Sequence, residues 1–331
     1  MLCEETRQMP IDAPQFPERF LRYATREFGK EGEAWIEQLP SILSRCCDKW
    51  GLTLGRPTEE IKVNYIAYVE MGNGEEAVLK VGVPHGDFSA EMEALAIYEG
   101  RGINRLIDCD KALNAMLLER LRPGKMLDSV ENAREQSEIA ARILQDLHAT
   151  PPPSNHTLPH FVDWMCGAFA DAKSCEDSER ARGYIEQIPR VESMMGILME
   201  TDEPQILLHG DLHHWNILSD AGRGWMAIDP KGVIGASCLD VGRFINNALG
   251  FGETAAEKRE ILLEAVTIFS DVLGENEERM FAGAFCDKIM GSSWGLKQKP
   301  DEREASSQEA LKVMVEVARD VDDRRLRCRA V

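Results

Sequence analysis

Polar residues that could carry out phosphoryl transfer follow two apolar stretches of the chain. Residues 206–208 are apolar and lead into His209-Gly210-Asp211, and Asn216 comes five residues after that aspartate. A second stretch, residues 224–228, ends at Asp229. Phosphoryl transfer needs a carboxylate that orients the attacking hydroxyl and accepts its proton, and oxygen ligands for the Mg2+ on the nucleotide phosphates. Asp211 as the base, with Asn216 and Asp229 as metal ligands, supplies this set, so the sequence favours a kinase reaction.

Strand patterns dominate the chain between residues 57 and 121. Residues 65–71 and 77–83 flank a segment in which Asn73-Gly74 suits a tight reverse turn, and this predicts a β-hairpin. Residues 115–121 predict a buried strand, and the apolar spacing between residues 89 and 100 predicts a helix. This part of the chain is therefore expected to form a sheet with one important helix.

Helical patterns dominate the rest of the chain. Before the sheet, residues 18–50 predict short helices that are broken at Gly29, Gly32 and Pro40. After Pro123 the pattern becomes helical again, and Asp128 with Glu131 predicts a helix start. We therefore expect an α+β protein with an N-terminal lobe over residues 1–121, which includes a helical extension, and a mainly helical C-terminal lobe over residues 122–331.

Composition and charge restrict the class of protein and its partners. The 331 residues are 44% hydrophobic and 29% charged, as in a globular protein, and the formal charge of -19 repels nucleic acid and anionic membrane surfaces. That charge favours a small cationic substrate over either of them. Nine cysteines form no C-x-x-C pair, and Met1 to Pro17 does not read as a signal peptide, so we expect a cytoplasmic protein. Monomer and homodimer both stay open.

The spacing of the polar residues resembles that of a known family. The pattern D-x-x-x-x-N, opened here by His209-Gly210-Asp211, resembles the catalytic loop of the aminoglycoside phosphotransferase family, a branch of the protein-kinase-like fold. The resemblance implies two lobes, with a small five-stranded antiparallel sheet in the first and ATP bound between them. It also implies that Lys80 contacts the phosphates of ATP and that Glu91 pairs with Lys80. The segment at Glu119 and Leu121 would hydrogen-bond adenine through its backbone.

A narrower resemblance, carried by residues 79–84, 117–124 and 228–232, is to the streptomycin 6-phosphotransferases and hydroxyurea-inactivating kinases. It implies an antibiotic-resistance enzyme that phosphorylates a hydroxyl of an aminoglycoside, with a streptomycin-type substrate favoured. Two departures are Trp215, where a small residue is usual, and the segment Gly235 to Asp240, which replaces the usual Gly-Asp-Pro-x-x-Asp. Both affect the predicted substrate more than the predicted fold.

Further residues receive predicted supporting roles. Asn64 is a possible phosphate contact in the segment before Lys80, which has no G-x-G-x-x-G fingerprint. His209 and Asp240 are expected to hold the catalytic loop without touching the substrate. Candidate substrate contacts are His213, Lys231, Asp287 and Trp294.

Other functions are compatible with the same residues. Hydroxyurea or another small metabolite could be the acceptor. A nucleotide-binding regulator without turnover would need a defect in the metal set, and Asp211, Asn216 and Asp229 are all present. The cluster of His209, His213 and His214 suggests a zinc hydrolase, although the H-E-x-x-H pattern is absent.

Overall fold

The computed structural model describes residues 16, 18–58, 64–84, 86–175, 178–200, 204–296 and 304–327. The chain divides into two compact units. The first contains residues 1–92 and 105–120, and the second contains residues 93–104 and 121–331. Each unit is described by itself below.

The first unit is built on an antiparallel sheet. Its strands are β1 (Leu52–Pro57), β2 (Tyr65–Met71), β3 (Glu76–Val81), β4 (Leu106–Asp110) and β5 (Ala115–Glu119), in the order β1-β2-β3-β5-β4. The predicted hairpin is β2 and β3, which pair from Tyr65 opposite Val81 to Glu70 opposite Glu76. The resemblance implied a five-stranded antiparallel sheet, and the described residues form one.

A long helical segment, α1 (Glu18–Trp50), covers one face of this sheet. Its chain direction changes at Gly29, whose φ of 54° lies in the left-handed region that glycine tolerates best. Pro40 does not break the helix, contrary to the prediction. Leu39 and Leu43 are buried in the same core as the sheet residues, and this packing holds the helix across the missing hydrogen bond.

The helix α2 (Gly86–Tyr98) begins in the first unit and ends in the second. The second unit is mainly helical. Its other helices are α3 (Ala133–His148), α4 (Phe161–Lys173), α5 (Ser178–Ile185), α6 (Ile188–Met199), α7 (Gly242–Ala248), α8 (Ala255–Leu273), α9 (Glu277–Gly295) and α10 (Glu304–Ala318). Helix α3 starts one turn later than predicted, because Asn132 and not Asp128 accepts the backbone N–H of Glu135. Asp128 lies instead in the 3-10 turn Leu127–Ser129.

Short strands in the second unit carry the polar residues of interest. Strands β7 (Ile206–Leu208) and β10 (Val233–Gly235) pair with each other, and β6 (Pro123–Met126), β8 (Ile217–Asp220) and β9 (Gly224–Ala227) form a second small sheet. The α+β fold expected from the sequence is therefore present. Among the described residues, none of the helices combines the length and the apolar content that crossing a bilayer requires.

Candidate active site

The structure brings Asp211, Asn216 and Asp229 together through hydrogen bonds of the loops that carry them. The side-chain nitrogen of Asn216 donates to the backbone carbonyl of Asp211 at 3.0 Å. The backbone N–H of Ile228 donates to the carbonyl of Asn216 at 2.9 Å, which places Asp229 next to Asn216. Asp229 has a φ of 58°, an uncommon backbone conformation for a non-glycine residue and one that is enriched at functional sites. The predicted base and the two predicted metal ligands therefore lie on neighbouring loops of the second unit.

His209 connects the two loops and has a defined protonation state. Its Nε2–H donates to the carbonyl of Ile228 at 2.9 Å, and its Nδ1 accepts the backbone N–H of Asp211 at 3.2 Å. Because Nδ1 must accept, the ring is neutral. Burial agrees with this, since it lowers the pKa of His209 below its usual 6.5 despite the nearby carboxylates. The side chain thus joins the backbone of Asp211 to the backbone of Ile228, directly before Asp229.

Asp240 binds the backbone of the loop that carries Asp211. Its two carboxylate oxygens accept the backbone N–H groups of His209 and Gly210, each at 2.8 Å, and Nε2 of His148 donates to it at 3.0 Å. Burial alone would raise the pKa of Asp240, but the hydrogen bonds that it accepts offset burial, and the pKa is lowered from its usual value. A buried, ionised carboxylate therefore anchors the residues directly before Asp211. His148 was not predicted, because it is 92 residues away in the sequence.

The other histidines of the loop lie in different surroundings. The ring of His214 stacks on Phe244 with centroids 4.2 Å apart, and its Nδ1 lies 2.6 Å from the side-chain oxygen of Asn247. His213 packs edge-on against Trp215, whose Nε1 donates to Asp128 at 2.9 Å. Within the described residues, no three His, Cys, Asp or Glu side chains are grouped as a metal site would need. The rings of His213 and His214 thus pack against different aromatic side chains.

We expect His214 to make the stability of the protein sensitive to acid. Burial lowers its pKa from 6.5 to about 4, so the unfolded chain takes up this proton at a higher pH than the folded chain does. We therefore expect stability to fall as pH decreases from about 6.5 to about 4, by about 3 kcal/mol from this residue. In urea unfolding between neutral pH and pH 4, His214→Leu should lose that part of the pH dependence.

His160→Leu is the matched control for this prediction, because His160 has an exposed side chain in the same unit. It should keep the full loss of stability in acid. If His214→Leu and His160→Leu show the same slope of unfolding free energy against pH, buried His214 is not the source of the sensitivity.

Lys80 and Glu91 form a buried ion pair in the first unit. Lys80 is 3% exposed on β3, Glu91 is 6% exposed on α2, and the Nζ to Oε1 distance is 2.6 Å. The pair predicted from the family resemblance is thus in contact. A buried pair of this kind is weak evidence for stability, because desolvation of both charges opposes their attraction.

The remaining predicted nucleotide contacts lie at or beyond the ends of strands. Glu119 ends β5, its N–H donates to the carbonyl of Arg105 at 2.9 Å, and its carboxylate accepts the N–H of Arg105. Leu121 is buried and begins the second part of the second unit. The side-chain oxygen of Asn64 lies 2.8 Å from the position that a Cβ on Gly82 would take. Residues 59–63 of the predicted nucleotide segment lie outside the described residues.

Arg243 lies beside Asp211 and was not predicted from the sequence. Its Nε is 3.2 Å from Oδ1 of Asp211, and its Nη2 is 3.5 Å from Oδ1 of Asp287. Asp287 also accepts the side-chain amide of Asn246 at 2.8 Å. Asp287 was predicted to contact the substrate. In the structure it is 4% exposed, and its side chain contacts Arg243 and Asn246. The one sequence signal for Arg243 is a charged residue in the otherwise apolar stretch from Val241 to Ile245.

Two tryptophans lie near the same loop. The ring of Trp164 in α4 lies close to Gly210, since a Cβ added to that glycine would be 3.3 Å from the ring. The rings of Trp164 and Trp294 pack edge-on, with centroids 6.2 Å apart. Both side chains are partly exposed. Lys231 is exposed, and its backbone N–H donates to the carbonyl of His209 at 2.7 Å. Trp294 and Lys231 thus lie close to the loop of Asp211, as does Trp164, which the sequence analysis missed.

A solved protein structure has the same fold as this chain. The Plasmodium vivax ethanolamine kinase superposes with a TM-score of 0.62 at 16% sequence identity, over 91% of this chain and 93% of that one. At this identity the likeness establishes the fold alone. The chain thus has the protein-kinase-like fold that the sequence predicted.

The family follows from sequence comparison. A model of the aminoglycoside/hydroxyurea antibiotic resistance kinase family matches residues 57–297, and the chain belongs to that family. Streptomycin 6-kinase of Streptomyces griseus is 26% identical over 286 residues, which cover 85% of this chain and 91% of that protein. Hydroxyurea phosphotransferase of Kitasatospora aureofaciens is 26% identical over 303 residues, covering 90% and 86%. The predicted enzyme class, a phosphotransferase with an alcohol group as acceptor, is confirmed.

Proposed function

We propose that this chain transfers the γ-phosphoryl group of ATP to a hydroxyl of an antibiotic-type small molecule. The observation that carries the proposal is the convergence of Asp211, Asn216 and Asp229 on loops that hydrogen-bond each other. In this reaction the hydroxyl oxygen bonds to the γ-phosphorus, the bond from that phosphorus to the bridging oxygen breaks, and ADP leaves. The hydroxyl proton passes to Asp211.

Residues around Asp211 would position it for this proton transfer. Asp240 and the ring of His209 fix the backbone of residues 209–211 through three hydrogen bonds, and a fourth joins the ring to the carbonyl of Ile228. A rigid loop holds the carboxylate near a productive geometry, and misplacement of a reacting group by about 1 Å can cost about a hundredfold in rate. In the first unit, Lys80 would bind ATP phosphates while Glu91 orients it, and Asn64 would assist. Adenine contacts are proposed at the backbone of Glu119 and Leu121.

The donor atoms fit a magnesium ion. The side-chain nitrogen of Asn216 is used by the carbonyl of Asp211, so its amide oxygen is the atom suited to a metal. With the carboxylate of Asp229 this offers the hard oxygen ligands that Mg2+ prefers. When bound, Mg2+ would neutralise charge on the phosphates. Asn216 and Asp229 would hold it.

We consider two types of acceptor molecule. A streptomycin-type acceptor is proposed first, because it was favoured by the sequence and the streptomycin 6-kinase of Streptomyces griseus is a relative over most of the chain. The tryptophans near Gly210 could pack against a sugar ring. A hydroxyurea-type acceptor is the second candidate, and it is favoured by one observation, which is the guanidinium of Arg243 beside Asp211.

The test is acceptor-stimulated release of ADP from Mg-ATP, with streptomycin, other aminoglycosides, hydroxyurea and small amino sugars as acceptors. We expect at least one acceptor to stimulate ADP release and to gain one phosphoryl group by mass spectrometry. Chelation of divalent ions should stop the reaction, and magnesium should restore it. Failure of every acceptor while ATP still binds would contradict the antibiotic acceptor and leave the family assignment intact.

A further inference from the structure

The guanidinium of Arg243 lies against the carboxylate of Asp211 in the candidate site. It lies between Asp211 and Asp287, and Gly291 of α9 allows the close approach, since a Cβ there would lie 3.3 Å from Nη1. The carboxylate of Asp287, together with that of Asp211, raises the pKa of Arg243 against the opposing effect of burial. Arg243 therefore stays charged, and its position is determined by the packing of α7 against α9.

The charged side chains that are partly exposed beside the candidate base are Asp211 itself and Arg243. The side chains of Asp211 and Arg243 are 25% and 29% exposed, whereas that of Asp287 is 5% exposed. Asp287 is also held by the amide of Asn246. A positively charged group of a substrate would therefore have to displace Arg243 to reach Asp287. Like charges placed side by side in a binding site disfavour the wrong partner.

One donor of Arg243 is left without an acceptor. Within the described residues its buried Nε–H makes no hydrogen bond, because the contact with Asp211 is close but poorly aligned. Because Nε is buried, a ligand oxygen would reach Arg243 through the exposed atoms of its side chain, where the positive charge would favour it. Such an oxygen would lie next to the hydroxyl that Asp211 deprotonates.

We propose that Arg243 determines acceptor specificity by binding an uncharged or anionic oxygen beside the reacting hydroxyl and by disfavouring acceptors with a positive charge at that position. This inference rests on the proposed phosphotransferase function. It names a chemical class: a hydroxyl compound with an oxygen acceptor, such as a carbonyl, adjacent to the hydroxyl. Arg243 was not among the predicted site residues.

The test uses a matched pair of acceptors with the full chain and Mg-ATP near neutral pH. Hydroxyurea and hydroxyguanidine have the same size and the same hydroxyl, but the carbonyl oxygen of the first is replaced by a protonatable nitrogen in the second. The wild type should favour hydroxyurea in kcat/KM of acceptor-stimulated ADP release by at least about tenfold. Arg243→Met should bring the ratio to about one, because the cation and its donors are removed while an unbranched stem is kept.

Arg243→Lys serves as the second variant, because it keeps the charge and loses Nε. It should retain the preference for the uncharged acceptor with a higher KM. Binding of the same two acceptors to the complex with a nonhydrolysable ATP analogue, measured by calorimetry, gives a readout that does not depend on turnover. It should show the same preference as kcat/KM.

Several outcomes would overturn the inference. Equal or better use of hydroxyguanidine by the wild type would do so, as would a ratio that Arg243→Met leaves unchanged, or no binding of either acceptor. If streptomycin stimulates ADP release equally in the wild type and Arg243→Met, the proposed function stands and the role of Arg243 falls. If ADP release responds to no acceptor at all and neither hydroxyurea nor hydroxyguanidine binds, both fall together.

Discussion

Asp211→Asn is expected to lower acceptor-stimulated ADP release by about a thousandfold, which is within the range for loss of a general base. The substitution keeps the size of the side chain and removes its ability to accept the proton. It also weakens the ion contact with Arg243, whose Nε lies 3.2 Å from the carboxylate. The effect should be on kcat, with KM for ATP little changed, because the proton moves only during the chemical step.

Asp271→Asn is the matched control for this prediction. It makes the same chemical change at an exposed position of α8, in the same unit as Asp211. It should retain the rate of the wild type, and both variants should unfold at similar denaturant concentrations. An Asp211→Asn protein that keeps its acceptor-stimulated rate would remove Asp211 from its proposed role.

Asp240→Ala is expected to have the largest effect on stability. The change removes the acceptor of two backbone N–H groups and of His148 in a region that is almost fully buried. Each buried donor left without a partner costs about 1–3 kcal/mol, so we expect a loss of about 3–5 kcal/mol in the free energy of unfolding. Urea denaturation near neutral pH measures this loss. The rate should also fall, because residues 209 and 210 lose their anchor next to Asp211.

His148→Leu separates the contributions of the three bonds. It removes one donor and leaves both backbone bonds to Asp240 in place. Its loss of stability should therefore be clearly smaller than that of Asp240→Ala. An Asp240→Ala protein within about 0.5 kcal/mol of the wild type would show that this carboxylate does not hold the loop.

The sequence by itself determined the reaction type and much of the fold. Apolar stretches that end at polar residues, and the spacing of Asp211 and Asn216, are local properties that can be read along the chain. The hairpin of β2 and β3 follows in the same way, because the alternating pattern and the turn are both local. The pairing of Lys80 with Glu91 depended on the family resemblance and is found in the structure.

Only the tertiary structure showed what surrounds Asp211. Arg243 and Asp287 are 32 and 76 residues away from it in sequence, and their contacts depend on the packing of α7 against α9. His148 and Trp164 are likewise brought to the loop by other helices. Helical and strand periodicities indicate which face of an element is buried, but they do not indicate which other element it meets. The reaction class could therefore be predicted from the sequence, whereas the positive charge beside Asp211 was decided by packing between helices.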